Sequence, residues 1–71
     1  PAGTTAVLNA ANEVAVAAFL DERLRFDQIH AVNHATLNAL SPSKPQNLGD
    51  LLDIDAQARA LAEAAVARLA S

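Results

Sequence analysis

From Ala6 to Leu20 the chain carries apolar side chains with few interruptions. Stepping about 100° per residue around a helix, Val7, Ala11, Val14 and Ala18 fall on one side. Leu8, Ala15 and Phe19 fall beside them, and Ala6, Ala10 and Ala17 take the other flank. The polar groups Thr5, Asn9, Asn12 and Glu13 share one narrow stripe. No Gly or Pro breaks the run. The pattern predicts a first helix over about Thr5–Leu20, with a threonine oxygen available to cap its free N–H groups. A helix that is apolar nearly all round is a buried helix. Two partner helices cannot cover it on every side. The missing cover is expected from another part of a longer chain or from a second copy of this one.

The charged stretch Asp21–Arg25 reads as an exposed connection. Beyond it, Ile29, Val32, Leu37 and Leu40 recur at helical spacing, with Asn33 and Thr36 on the same side. They predict a second helix over about Gln28–Leu40, with Asp27 as its N-cap and Phe26 stapled onto Ala31. Ser41–Gln46, with two prolines and two serines, is a loop. Leu48–Leu52 is expected to form one short turn capped by Asn47. A third helix is expected over about Ala56–Ala70, capped by Asp53 or Asp55. Its apolar stripe is Ile54, Ala58, Leu61, Ala65 and Leu69, and Arg59 and Glu63 pair on its outside. No strand pattern is present. The fold class is all-α: a small bundle of three main helices plus a short turn.

Composition sharpens this picture. Apolar residues make up 52% of the 71 positions, yet two are aromatic. Alanine dominates, which favours helices because its side chain loses no rotamer freedom. It also lets helices approach closely. A chain this short builds one marginal core at most. With no cysteine, no disulfide or thiolate chemistry is available to strengthen it. Five basic against eight acidic residues argue against nucleic acid, which needs clustered Lys and Arg. The same balance argues against anionic lipid surfaces. The longest apolar run, Val14–Leu20, is far shorter than the roughly 20 residues that span a bilayer. The chain opens on Pro1 rather than Met, as expected of a piece of a longer protein.

Candidate chemistry is sparse. His30 and His34 stand one helical turn apart, a spacing that binds zinc when further ligands join. Ala31 follows His30 where a zinc-protease motif has Glu, and the wheel makes both histidines boundary residues. Asp50, Asp53 and Asp55 resemble a calcium loop only loosely, since its glycine and terminal glutamate are missing. Helix capping explains them better. Two glycines in all exclude a phosphate-cradling loop. Ser41, Ser43 and Ser71 have no base near them in sequence. Asn9, Asn12 and Glu13, at i, i+3 and i+4, lie together on the first helix. One carboxylate with two amides lacks a nucleophile and a second acid. The three are therefore candidates for structural or interdomain contacts, fixing helix packing or anchoring the domain to a neighbour.

The segment Leu8–Leu20, LNAANEVAVAAFL, resembles the opening of the C-terminal helical domain of 1-deoxy-D-xylulose 5-phosphate reductoisomerases. The likeness continues through Arg25, Phe26, Asp27 and Ile29, then through Pro45 and Asp50–Arg59, to Arg68–Ser71. This resemblance implies a larger α/β parent enzyme, a bacterial cytoplasmic homodimer. It implies NADPH-dependent isomerisation and reduction to 2-C-methyl-D-erythritol 4-phosphate, with Mg or Mn, in non-mevalonate isoprenoid biosynthesis. It also implies that the cofactor, metal and catalytic groups lie in other domains. This piece would then carry no catalytic, cofactor or metal site and would brace the catalytic domain. His30 and His34 match no motif of that family.

The rival expectation is a stand-alone helical module that self-associates or binds another protein through its first helix. On either reading the isolated piece exposes apolar surface, and such surface drives association. Light scattering on the 71-residue chain is expected to show species larger than a monomer at high concentration. A clean monomer there would contradict this.

Overall fold

The computed structural model describes residues 2–40 and 44–70. Three helices follow one another: α1 (Ala2–Leu20), α2 (Phe26–Ala39) and α3 (Leu48–Ala70). There is no strand among the described residues, and no helix is long and apolar enough to cross a membrane. Ser41, Ser43 and Ser71 lie outside the described residues. The helices form an up-down-up bundle, so α1 and α3 run parallel and α2 runs against both. Val7 and Ala10 of α1 meet Ile54 and Ala58 of α3 at one end. Ala11, Val14, Ala15 and Ala18 meet Ala62, Ala65 and Val66 toward the other. The 23 residues of α3 span about 34 Å at 1.5 Å per residue, close to the 37 Å long axis of the molecule.

All three helices start earlier than the pattern predicts, each for a local reason. α1 begins at Ala2 rather than about Thr5. First-turn N–H groups need no intrahelical partner, so Gly3, Thr4 and Thr5 fit there. α2 begins at Phe26, with Arg25 rather than Asp27 at the N-cap. The Arg25 N–H donates to Gln28 Oε1 at 2.8 Å, as the third helical residue does in a capping box. Asp27 lies inside the first turn, where its charge suits the helix dipole. α2 ends at Ala39, one residue short of the expected Leu40, which turns extended while its N–H donates to the Thr36 carbonyl.

The third helix differs most. The expected short turn and the expected helix from Ala56 are one continuous α3. Asn47 is its cap, with Oδ1 accepting from the Asp50 N–H at 2.9 Å. Asp50 Oδ2 in turn accepts from the Gln46 N–H at 2.9 Å. Neither Asp53 nor Asp55 caps anything. Past Gly49 in the first turn nothing in the sequence breaks the helix, so one cap serves its full length.

α1 stops in a Schellman turn. The Arg23 N–H donates to the Ala18 carbonyl at 2.9 Å, and the Glu22 N–H to the Phe19 carbonyl at 3.0 Å. Glu22 takes the left-handed position, φ 60°, where glycine is the usual residue. Leu24 then drops back into the core.

The core is built of small side chains. The largest fully buried ones are Val7, Val32, Val66 and Thr36. The Thr36 hydroxyl is satisfied by the Val32 carbonyl at 2.8 Å. Leu24 and Ile54 are the large apolar residues in the core, while several others lie outside: Leu20 is 73% exposed, Phe26 75%, Leu48 69% and Leu52 60%. Phe26 does not staple onto Ala31. Its ring meets Phe19 of α1 edge-on, with centroids 5.7 Å apart. The buried stripe of α3 is Ile54, Ala58, Ala62, Ala65 and Val66. Leu61 and Leu69 are set to its margin, because the approach of α1 leaves room there for methyl groups and little more.

Two substitutions test this account in opposite directions. Ala58→Leu, at the fully buried α1–α3 contact, is expected to lower unfolding free energy by about 1–3 kcal/mol through overpacking. Glu22→Gly removes the left-handed strain and is expected to raise it by about 1 kcal/mol. Urea unfolding followed by circular dichroism reads both; a stabilised Ala58→Leu would contradict the tight contact.

Candidate functional site

The residues singled out by pattern are Asn9, Asn12 and Glu13, all exposed on α1. The structure sends them in different directions. Asn12 turns toward α2, where its Oδ1 accepts from Asn33 Nδ2 at 3.2 Å. Glu13 turns toward α3, where its Oε2 accepts from Arg59 Nη2 at 3.0 Å. Asn9 lies between these two directions on the wheel and faces outward. They are thus the rim and centre of one helix face, not a cluster.

Arg59 is the centre of the charged contacts. Its Nε donates to Asp55 Oδ2 at 2.8 Å, one turn back along α3. The hydrogen bond to Asp55 first, and that to Glu13 second, hold the guanidinium above its ordinary pKa. The expected Arg59–Glu63 pairing gives way to these two acceptors. The i, i+4 spacing of Asp55 and Arg59 was a readable signal. The 46-residue reach to Glu13 was not, since nothing local encodes it. Solvent screens such a pair, so its net stabilisation is small. Its geometry still fixes α1 against α3 lengthwise.

Asn33 adds a buried polar feature. Its Nδ2 is bonded to Asn12, while its Oδ1 is buried with no partner among the described residues. The pattern placed Asn33 on the packed side of α2 and did not foresee its partner.

His30 and His34 are exposed, with their rings stacked at 6.2 Å. No group of three or more His, Asp or Glu able to hold a metal ion occurs among the described residues. A pocket of about 190 Å³ near the start of α3 is lined by Lys44, Pro45, Asp50, Asp53, Ile54 and Gln57. The Asp50 carboxylate is already engaged with the Gln46 N–H. The exposed side of α1 carries Thr5, Asn9, Asn12 and Glu13 beside Leu8 and Leu20, with Phe26 exposed just beyond its end.

Against this geometry, a family model described as the DXP reductoisomerase C-terminal domain matches residues 2–61, all of α1 and α2 and more than half of α3. The chain belongs to the DXP reductoisomerase C-terminal domain family. Among its relatives is the 1-deoxy-D-xylulose 5-phosphate reductoisomerase of Haemophilus influenzae (strain 86-028NP). The two are 49% identical over 59 residues, which cover 83% of this chain and 15% of the relative. The enzyme of the same name from Actinobacillus pleuropneumoniae serotype 5b (strain L20) is 49% identical over 65 residues, covering 92% of this chain and 16% of the relative. That from Burkholderia cenocepacia (strain HI2424) is 52% identical over 64 residues, covering 90% and 16%. The chain therefore spans about one sixth of the length of these relatives.

The Asn12–Asn33 bond yields a direct test. Asn12→Leu is expected to lower unfolding free energy by about 0.5–1.5 kcal/mol, because it leaves the half-buried Asn33 amide without its partner. Replacing both residues by Leu is expected to recover much of that loss. If thermal melts of the single variant match those of the parent sequence, the bond contributes nothing.

Proposed function

We propose that this chain is the C-terminal helical domain of a reductoisomerase acting on 1-deoxy-D-xylulose 5-phosphate, and that its part is structural support. One observation carries the reading. About half the residues are identical to those of enzymes bearing that name over most of this chain.

In this reading the parent isomerises and reduces its substrate to 2-C-methyl-D-erythritol 4-phosphate with NADPH and Mg or Mn. It works as a bacterial cytoplasmic homodimer in non-mevalonate isoprenoid biosynthesis. Two glycines in all make no Gly-rich phosphate loop for the nucleotide, and no group of three or more His, Asp or Glu able to hold the metal occurs among the described residues. Those sites belong to the rest of the parent, and no catalytic step is drawn through this domain. Its contribution is rigidity, because catalytic groups act only when neighbouring structure holds them to a fraction of an ångström.

The test is an assay of the full reading frame that contains this segment. Purified full-length protein given 1-deoxy-D-xylulose 5-phosphate, Mg and NADPH is expected to consume NADPH. The 71-residue chain alone is expected to consume none. A full-length protein that binds NADPH yet leaves this substrate untouched would overturn the reading.

A further inference from the structure

We propose that His30 and His34 form a chelating site on the outside of α2 for a divalent late transition metal: zinc, nickel or copper(II). The site is separate from the proposed activity and does not rest on it.

The two histidines stand four residues apart on one helix, where side chains one turn apart have Cβ atoms about 5–6 Å from each other. Both are exposed. Counted around the helix, they lie opposite Val32 and Thr36, the residues that α2 buries. They are therefore outward groups rather than boundary residues, and the core makes no demand on them. Their rings lie against each other, with centroids 6.2 Å apart and planes 24° from parallel. The helix backbone has already set the two imidazoles side by side, so little freedom is lost when a cation joins them.

Bond lengths decide whether one ion can reach both. Metal–nitrogen bonds of about 2.0–2.1 Å require two ring nitrogens about 3 Å apart. The rings close by roughly 1 Å to reach that geometry, a small torsional change for two exposed side chains. A structural zinc site takes all its ligands from protein. On this open face two protein nitrogens bind and water fills the remaining positions. Asp27, one turn before His30, is paired with Arg25 at 3.2 Å and is left out of the ligand set. No Lys or Arg lies within α2 to repel a cation, and the chain as a whole carries a net charge of −3. Ligand type sets the class of metal. Imidazole suits zinc, nickel and copper, whereas Mg and Mn favour oxygen ligands. The pair is thus a different kind of site from the one that would hold Mg or Mn in the proposed reaction.

Calorimetric titration of the full-length protein with nickel(II) chloride tests this, with Mg in excess to occupy oxygen-ligand sites. The comparison protein exchanges two exposed residues of α2, His34→Asn with Asn38→His. It keeps the same composition but sets its histidines about 12 Å apart along the axis, too far for one ion. The unaltered protein is expected to bind one nickel(II) per chain that the exchanged protein binds at least about tenfold more weakly, because the second bond no longer forms within one helical turn. Circular dichroism in EDTA is expected to match for the two proteins. His30→Gln is a second variant that leaves Asn38 alone, and it is expected to lose the same site. Identical nickel titrations for the unaltered protein and both variants would overturn the proposal. A nickel site that excess Mg abolishes would also overturn it, by assigning that site to oxygen ligands.

Discussion

The close approach of α1 and α3 is the constraint on which the rest of this structure depends. Ala10, Ala11, Ala15 and Ala18 on one helix meet Ala58, Ala62 and Ala65 on the other, with valines between them. Methyl-sized side chains allow two parallel helices to lie near one another along their length. They also leave little space, so most of the leucines and both phenylalanines are displaced to margins and outer faces, Leu24 excepted. At about 0.8 kcal/mol per buried methylene, an alanine seam stabilises less than a leucine core of equal length. The bundle is therefore narrow and modestly stabilised. Its outside carries exposed Leu8, Leu20, Phe26, Leu48 and Leu52 among polar and charged side chains.

Polar ties at the edges of the seam settle what the alanines cannot. Alanine surfaces are nearly featureless and slide past one another at low cost. The Glu13–Arg59–Asp55 contacts and the Asn12–Asn33 bond set α1 lengthwise against α3 and α2. Each is exposed or half-buried and weak on its own. Their value lies in selecting one alignment, and that alignment brings the Schellman turn at Glu22 to the point where Leu24 can re-enter the core.

Membership of the reductoisomerase C-terminal family suits a domain of this kind. A supporting domain holds its shape for the structure around it. The alanine seam does so with few residues.

The sequence by itself determined the helices and their inward faces. Val32 and Thr36 lie buried on α2 as the spacing requires, with Ile29, Asn33, Leu37 and Leu40 half-buried beside them. Local periodicity encodes these positions because a helix repeats every 3.6 residues whatever surrounds it. The apolar excess of α1 was legible for the same reason. Asn47 was legible as a cap, but the length of the helix it starts was not, since Asp53 and Asp55 look equally fit to begin one. Tertiary structure decided that they do not, by burying Ile54 in the same stretch of helix as Ala58. It also decided that Arg59 turns to Glu13 rather than Glu63, that Phe26 meets Phe19 rather than Ala31, and that Ala62 rather than Leu61 faces α1. Each of these depends on how closely a helix distant in sequence approaches. Side-chain volume across the seam sets that distance, and no single segment carries it.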